Sequence, residues 1–307
     1  MFQGSIVALV TPFKNGEIDE KKLCELVEWH IFEGTDAILT CGTTGESPTL
    51  TYEEHNRVIE IVVKQARKRV PVIGGTGTNS TYESLLLSEH AKKVGCDALL
   101  LVVPYYNKPT QEGMFQHFKT IAEKTGLPII AYNIPGRTSA NLEPQTFVRL
   151  VKECPNTVGI KEASGSIEQV SQIYSFLLQE GLEDKVSILS GDDSLTYPIM
   201  CLGGKGVISV LANIIPKKMH EFTSLLLNKK YEEAKKIHYE LYPLMKAMFI
   251  ETNPIPVKEA MGLMGLCSSE LRLPLTNMAG QNKEKLKSVF KKYNLTNKLT
   301  TNNESLF

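Results

Sequence analysis

The chain has 307 residues, 42% apolar and 22% charged, the balance of a soluble globular protein with room for one large barrel domain or two ordinary ones. Lys+Arg and Asp+Glu both number 34, so no net charge favours nucleic acid or an anionic membrane surface. The longest apolar run, Ala98–Val103, is too short to span a bilayer, and Met1-Phe2-Gln3-Gly4 lacks the basic start of an export signal, so a cytoplasmic location is expected.

Taken in order, Ser5–Val10 is an apolar run closed by Thr11-Pro12, a first strand. Asp19 is placed to cap a helix with Leu23, Leu26, Val27 and Ile31 on one face, and Gly34 stops it. Ala37–Cys41 is a second strand running into Gly42-Thr43-Thr44-Gly45-Glu46-Ser47, after which Thr51 and Glu54 make a capping box. The unit then recurs. Val70–Ile73 is a strand followed by Gly74-Gly75-Thr76-Gly77, a second capping box at Ser80 and Glu83, and a helix ended by Gly95. Ala98–Val103 leads to Pro104-Tyr105-Tyr106-Asn107 and a helix from about Gln111 to Thr125; Pro128–Tyr132 leads to Asn133-Ile134-Pro135-Gly136-Arg137-Thr138. Val158-Gly159-Ile160-Lys161-Glu162-Ala163 is the sixth strand, with Ser166 and Gln169 capping its helix. Val186–Ser190 and Gly206–Val210 are the seventh and eighth.

Eight strand–helix units with continuous apolar strands predict an α/β fold, a (β/α)₈ TIM barrel. An open doubly wound sheet is the rival, but Gly75-Thr76-Gly77 lacks the third glycine of a dinucleotide-binding turn. Beyond the eighth strand, Pro216–Phe249 carries long amphipathic patterns broken near Pro243, and further helices are expected over Pro256–Gly265 and Asn282–Tyr293. The chain therefore divides into a barrel over 1–224, a C-terminal helical appendage over 225–296 and a flexible polar tail over 297–307. The six cysteines form no CxxC pair and the histidines no HExxH, so reduced core cysteines and no metal site are expected.

Lys161 closes a buried strand, and a lysine there is costly unless it is paired or has work to do. Burial lowers an ammonium pKa from its usual value of about 10.4, and a desolvated lysine is the usual Schiff-base nucleophile. The alternative is a buried ion pair with Glu162 or another carboxylate. Barrel chemistry collects at the C-terminal strand ends, which carry Thr43, Thr44, Tyr105, Tyr106, Tyr132 and Arg137 beside Lys161. Singly, these have modest readings: tyrosines pack, threonines cap turns, and an arginine can hold a loop carbonyl. Together they suit one reaction type. A carbinolamine on Lys161 needs a proton shuttle, which a tyrosine linked through Thr43 supplies. A keto-acid carboxylate needs the backbone N–H groups of Gly42–Gly45, and a second carboxylate the planar fork of Arg137.

Gly42-Thr43-Thr44-Gly45-Glu46, Tyr132-Asn133-Ile134-Pro135-Gly136-Arg137-Thr138 and Gly159-Ile160-Lys161-Glu162 resemble, in order and spacing, the dihydrodipicolinate synthase family of the N-acetylneuraminate lyase superfamily. The likeness runs from about Gly4 to about Tyr293 and takes in Leu189–Asp193, Gly206–Val210 and Asn253–Lys258. It implies a Schiff base between Lys161 and pyruvate, and a proton relay of Tyr132, Thr43 and Tyr106, with Tyr106 reaching in from a neighbouring subunit. It implies that Thr44 binds the pyruvate carboxylate, that Arg137 binds that of aspartate-β-semialdehyde, and that Gly191 and Ile208 complete the substrate pocket. It further implies the first committed step toward diaminopimelate and lysine, no metal or organic cofactor, and a tetramer of two tight dimers.

In lysine-inhibited members an allosteric pocket uses positions matching Ser47, Tyr52, His55, Asn79, Glu83 and Tyr105. Pro48 and Tyr52 depart from the residues common there, so partial inhibition by L-lysine is expected. Two rivals keep the barrel: a sugar-acid lyase, against which Arg137 argues, and a non-catalytic keto-acid-binding barrel, which has no need of both Lys161 and the relay.

Overall fold

A computed structural model describes residues 1–295. Its centre is a closed barrel of eight parallel strands: β1 Gly4–Ala8, β2 Ala37–Thr40, β3 Val72–Gly75, β4 Ala98–Val102, β5 Ile129–Asn133, β6 Thr157–Glu162, β7 Ser187–Ser190 and β8 Gly206–Ser209, with β1 pairing both β2 and β8. Eight helices alternate with them: α1 Glu20–Phe32, α2 Tyr52–Ala66, α3 Thr81–Val94, α4 Gln111–Thr125, α5 Pro144–Glu153, α6 Ile167–Gln179, α7 Thr196–Cys201 and α8 Pro216–Leu227. Three more follow: α9 Tyr231–Ala247, α10 Ile255–Leu263 and α11 Gly280–Lys292. The polar tail expected over 297–307 lies outside the described residues. A short hairpin, Phe13–Lys14 with Glu17–Ile18, was not anticipated.

The period of two along each strand sorts the side chains. Ile130 and Tyr132 join Ile6, Leu39, Ile73, Leu100, Leu189 and Ile208 inside the barrel. Ile129, Ala131 and Ile160 face the helices instead. Lys161 pairs in register with Tyr132 across β5 and β6, so both point into the barrel at its C-terminal end. Glu162 must then point outward, which removes the Lys161–Glu162 ion pair as an alternative. Its carboxylate accepts from Asn133 Nδ2 at 3.1 Å, the Ser164 N–H at 2.6 Å and Gln169 Nε2 at 3.0 Å.

One local expectation holds in full and several others are corrected. Thr51 and Glu54 make the full reciprocal capping box. At α3 only half of one forms: Ser80 Oγ accepts from the Glu83 N–H at 3.4 Å, but the Ser80 N–H is taken by Thr78 Oγ1 at 3.1 Å. Ser166 likewise caps α6, while the Gln169 side chain goes to Glu162. The helical break expected near Pro243 falls at Asn228–Lys230 instead, where Lys229 is left-handed at φ 59°; α9 runs through Pro243. The third strand extends to Gly75, where a Cβ would stand 2.5 Å from the Cys41 carbonyl, so only glycine lets β3 approach the β2 loop. Among the cysteines, Cys201 is exposed and Cys24 half-buried rather than core. No helix among the described residues is long and apolar enough to cross a membrane.

The appended helices tie back to the barrel mouth. Lys258 on α10 pairs with Glu46 at 2.6 Å, both side chains fully buried, and Lys258 Nζ sits 4.1 Å from the centroid of Phe13. Glu46 ends the Gly42–Glu46 loop in a left-handed conformation (φ 55°), and its second oxygen accepts from the Arg272 N–H at 3.1 Å. Removing one partner of such a pair strands the other charge, at a cost of about 3–5 kcal/mol. The segment from Asn253 to Arg272 therefore sets the position of the loop that carries Thr43 and Thr44.

Candidate active site

Lys161 is 6% exposed, and its Nζ lies 4.2 Å from the centre of the Tyr132 ring. Burial lowers its pKa to about 7; the negative charge of Asp193 works against that fall, and the Arg137 guanidinium adds to it. An amine with that pKa is substantially neutral near pH 7, as a nucleophile must be. Burial raises the Tyr132 phenol to about 12, opposed by the Arg137 charge and by the Thr43 hydroxyl beside it. Tyr132 therefore keeps its proton at neutral pH, with the amine lying over the face of its ring. Asp193, not singled out from the sequence, is buried; desolvation raises it to about 6 against hydrogen bonds from Ser209 Oγ (2.5 Å) and the N–H groups of Leu211 (2.9 Å) and Val210 (3.1 Å).

Of the residues expected at the mouth, Thr43, Tyr105, Tyr132 and Arg137 line one cavity of about 600 Å³, together with Ser47, Tyr52, His55 and Glu83; Lys161, Thr44 and Tyr106 are not among its lining residues. Thr44 is buried and its Oγ1 accepts from Asn253 Nδ2 at 3.0 Å. Arg137 sits on a one-turn helix, Pro135–Thr138, and donates through Nη2 to the Asn253 carbonyl at 3.0 Å. It thus does hold a loop carbonyl, and it is exposed in the single chain, with donors left for a carboxylate.

The substrate-side positions differ in kind. Ile208 is buried in the barrel interior. Gly191 leaves β7 so close to β6 that a Cβ would stand 2.5 Å from that of Ala163, and its N–H donates to the Glu162 carbonyl at 2.8 Å.

At the outer end of the cavity the expected residues separate. The carbonyl of Asn79 accepts from Asn107 Nδ2 at 2.8 Å, and Asn79 is not among the residues lining the cavity. His55 is buried with Nε2 on the Gly75 carbonyl at 2.9 Å, and burial lowers its pKa to about 4, so it is a neutral wall of the cavity. The Tyr52 phenol is pushed up, first by its hydrogen bond to Glu83. Tyr106 stands apart from the site of its own chain: it is 90% exposed and left-handed, with φ 69°. Among the described residues no cluster of His, Cys, Asp or Glu is built to hold a metal ion.

The model of the dihydrodipicolinate synthetase family matches residues 1–293. The chain belongs to that family. A 4-hydroxy-tetrahydrodipicolinate synthase of Sulfurihydrogenibium sp. is 57% identical over 296 residues, 96% of this chain and 99% of the relative. The solved dihydrodipicolinate synthase of Aquifex aeolicus superposes with a TM-score of 0.93 at 53% identity, covering 96% of this chain and 99% of that one. A dihydrodipicolinate synthase of Acinetobacter baumannii, solved in complex with pyruvate, gives 0.92 at 48% identity and covers 96% of this chain and 100% of that one. The barrel with appended helices is the architecture of this family.

Three residues at the mouth were missed as site residues: Asp193, Asn253 and Lys258. The visible signal was a charged or amide group inside an apolar context, as in Ile255-Pro256-Val257-Lys258, but nothing local names its partner.

The depressed lysine pKa fixes a pH dependence. The unfolded chain binds a proton at Lys161 up to about pH 10.4, whereas the folded chain releases it near 7. Between those values the unfolded state holds more protons, so stability rises with pH across that window. Lys161→Met is expected to be more stable than the parent by about 2–4 kcal/mol at pH 7, the difference fading toward pH 10.5, as read by denaturant unfolding. In the parent, kcat/KM for the keto acid should fall about tenfold per pH unit below 7. A Lys161→Met variant with no stability gain at pH 7 would show that the amine is not held neutral by burial.

Proposed function

We propose that the chain condenses pyruvate with L-aspartate-4-semialdehyde to give 4-hydroxy-tetrahydrodipicolinate, the first committed step toward diaminopimelate and lysine. The observation that carries the reading is the buried Lys161 amine 4.2 Å from the centre of the Tyr132 ring, with burial lowering the amine pKa to about 7 and raising the phenol to about 12. The Lys161 lone pair attacks C2 of pyruvate, and a proton passes from the amine nitrogen to the carbonyl oxygen to give a carbinolamine. Tyr132, with Thr43 beside it, returns a proton to that hydroxyl, which leaves as water from the iminium. Loss of a C3 proton gives the enamine, whose C3 attacks the aldehyde carbon of the second substrate; the iminium re-forms at C2, and the aldehyde oxygen takes a proton to become the hydroxyl of the product. The amino group of that substrate then closes on C2 and displaces the Lys161 amine, which regenerates the enzyme and releases the cyclic hydroxy product.

In this reading Thr44 and the backbone N–H groups of the Gly42–Gly45 loop take the pyruvate carboxylate, except that of Gly45, which donates to the Gly42 carbonyl at 3.1 Å; Arg137 takes that of the semialdehyde, and Gly191 and Ile208 bound the pocket. A sugar-acid lyase has no evident use for the Arg137 fork in this place, and a binding barrel none for an amine held neutral. Tyr106 is supplied to the relay of a neighbouring chain, within a cytoplasmic homotetramer of two tight dimers. The outer end of the cavity, at Ser47, Tyr52, His55, Glu83 and Tyr105, with Asn79 near its rim, takes L-lysine: Glu83 supplies the anion for an ammonium group.

Borohydride should trap a pyruvate adduct on Lys161, located by peptide mass, and Lys161→Ala should abolish it. Trapping that survives moves the Schiff base to another lysine. Arg137→Ala should still trap pyruvate while kcat/KM for the semialdehyde falls by about 1.5–3 kcal/mol, the worth of a hydrogen bond to a charged group; equal damage to both substrates makes Arg137 a prop.

Exchange of Tyr106 is read by mixing inactive Tyr106→Phe chains with inactive Lys161→Ala chains. Hybrid dimers should regain activity, and hybrids shown to form yet inactive would refute the exchange. Rate titration and calorimetry with L-lysine should show binding and partial inhibition that Glu83→Ala removes. Full activity and no heat at millimolar lysine would leave Glu83 to its place in the first turn of α3.

A further inference from the structure

Asn253 lies between the two groups to which the proposed function assigns the substrate carboxylates. It is 5% exposed, just ahead of α10, and 209 residues from the threonine it touches. Its Nδ2 donates to Thr44 Oγ1 at 3.0 Å, and its backbone carbonyl accepts from Arg137 Nη2 at 3.0 Å. One residue of the appended region therefore meets both arms of the site, one through its side chain and one through its backbone.

The direction of the Thr44 contact matters. A threonine hydroxyl has one hydrogen and two lone pairs, and an amide nitrogen only donates. Thr44 Oγ1 is thus the acceptor, which leaves its single hydrogen for another oxygen. A free hydroxyl would divide its hydrogen among rotamers; this one has its lone pair occupied from one side. Asn253 Oδ1 is itself buried with no hydrogen-bond partner. A residue present only to fill space would avoid that cost, since an apolar side chain of similar size leaves nothing unsatisfied.

We propose that Asn253 is a positioning residue for pyruvate: it holds the Thr44 hydroxyl as an acceptor, so that the hydroxyl hydrogen is delivered to the pyruvate carboxylate. The inference rests on the reading of pyruvate as first substrate. It separates the two arms, because replacing the side chain removes the Thr44 contact and leaves the backbone carbonyl that holds Arg137.

The test is steady-state kinetics on the full chain with Asn253→Ala, Thr44→Val and the double variant, each checked for folding by thermal unfolding. Asn253→Ala should raise KM for pyruvate about tenfold, with kcat and the semialdehyde KM within about twofold of the parent. In the Thr44→Val background the same change should add less than about twofold, because the contact it acts through is already gone. Asn253→Asp keeps the shape and puts an acceptor at the hydroxyl; it should raise the pyruvate KM at least as much, and it carries the test if the alanine variant does not fold. A pyruvate KM unchanged in a folded variant, an equal rise for both substrates, or an effect that multiplies undiminished onto Thr44→Val overturns the inference. A parent chain that traps no pyruvate under borohydride overturns the substrate reading and this inference with it. Trapping in the parent with an unchanged KM in the Asn253 variants overturns this inference alone.

Discussion

The constraint on which the site depends is the desolvation of one amine. Lys161 faces inward because it shares the inner face of its strand, and register sets it beside Tyr132. Water is excluded there by the apolar side chains beneath it, so the ammonium form loses its hydration and the neutral form gains. The same burial raises Tyr132 to about 12 and Asp193 to about 6, which keeps the phenol protonated and leaves the carboxylate mostly charged at pH 7. A nucleophile without its proton and a phenol with its proton are what carbinolamine formation and dehydration require. Asp193 supplies a counter-charge at a distance, which favours any cation formed at Lys161 without fixing the amine in an ion pair.

A neutral amine also has to be approached from a defined side, and here the appended helices enter the chemistry. The loop after β2 is glycine-rich, and three residues of the appended region, Asn253, Lys258 and Arg272, hold it. Lys258 grips Glu46 at one end of the loop and Asn253 grips Thr44 near its middle. A buried ion pair is poor evidence of stability, since its Coulomb attraction is offset by desolvation of both ions. Its directional demand is another matter: Glu46 must present one oxygen to Lys258 and the other to the Arg272 N–H, and few loop conformations satisfy both. The barrel carries Lys161, and the segment that follows it fixes the shape of the Gly42–Glu46 loop.

How much of this was legible in the sequence follows from range. The eight strands were readable because a strand covered on both faces is a continuous apolar run bounded by turn residues, as at Ala98–Val102. The sidedness of Lys161 and Glu162 was readable in principle from the period of two, yet the hexapeptide alone left the ion pair open. Capping was half-legible: Thr51 and Glu54 pair as the pattern demands, whereas Gln169 fits the pattern and is drawn off to Glu162 by tertiary contact. Pro243 looked like a break, but α9 continues through it; the break fell where Lys229 turns left-handed. Contacts such as Asn253–Thr44 and Lys258–Glu46 join residues 209 and 212 positions apart, and no local pattern encodes them.

Tyr106 and Arg137 differ from Lys161, Tyr132 and Thr44 in being exposed within a single chain. Their exposure has a common physical consequence. A guanidinium in water is screened, and its pull on the Tyr132 and Lys161 titrations is weaker than it would be under a covering surface. Tyr106 occupies a left-handed conformation that costs a bulky side chain free energy, and its ring recovers almost none of that through packing on its own chain. The proposed exchange of Tyr106 between subunits would give that ring a receiving surface. A neighbour covering the mouth in that way would exclude water from Arg137 as well and strengthen its field at the phenol and the amine.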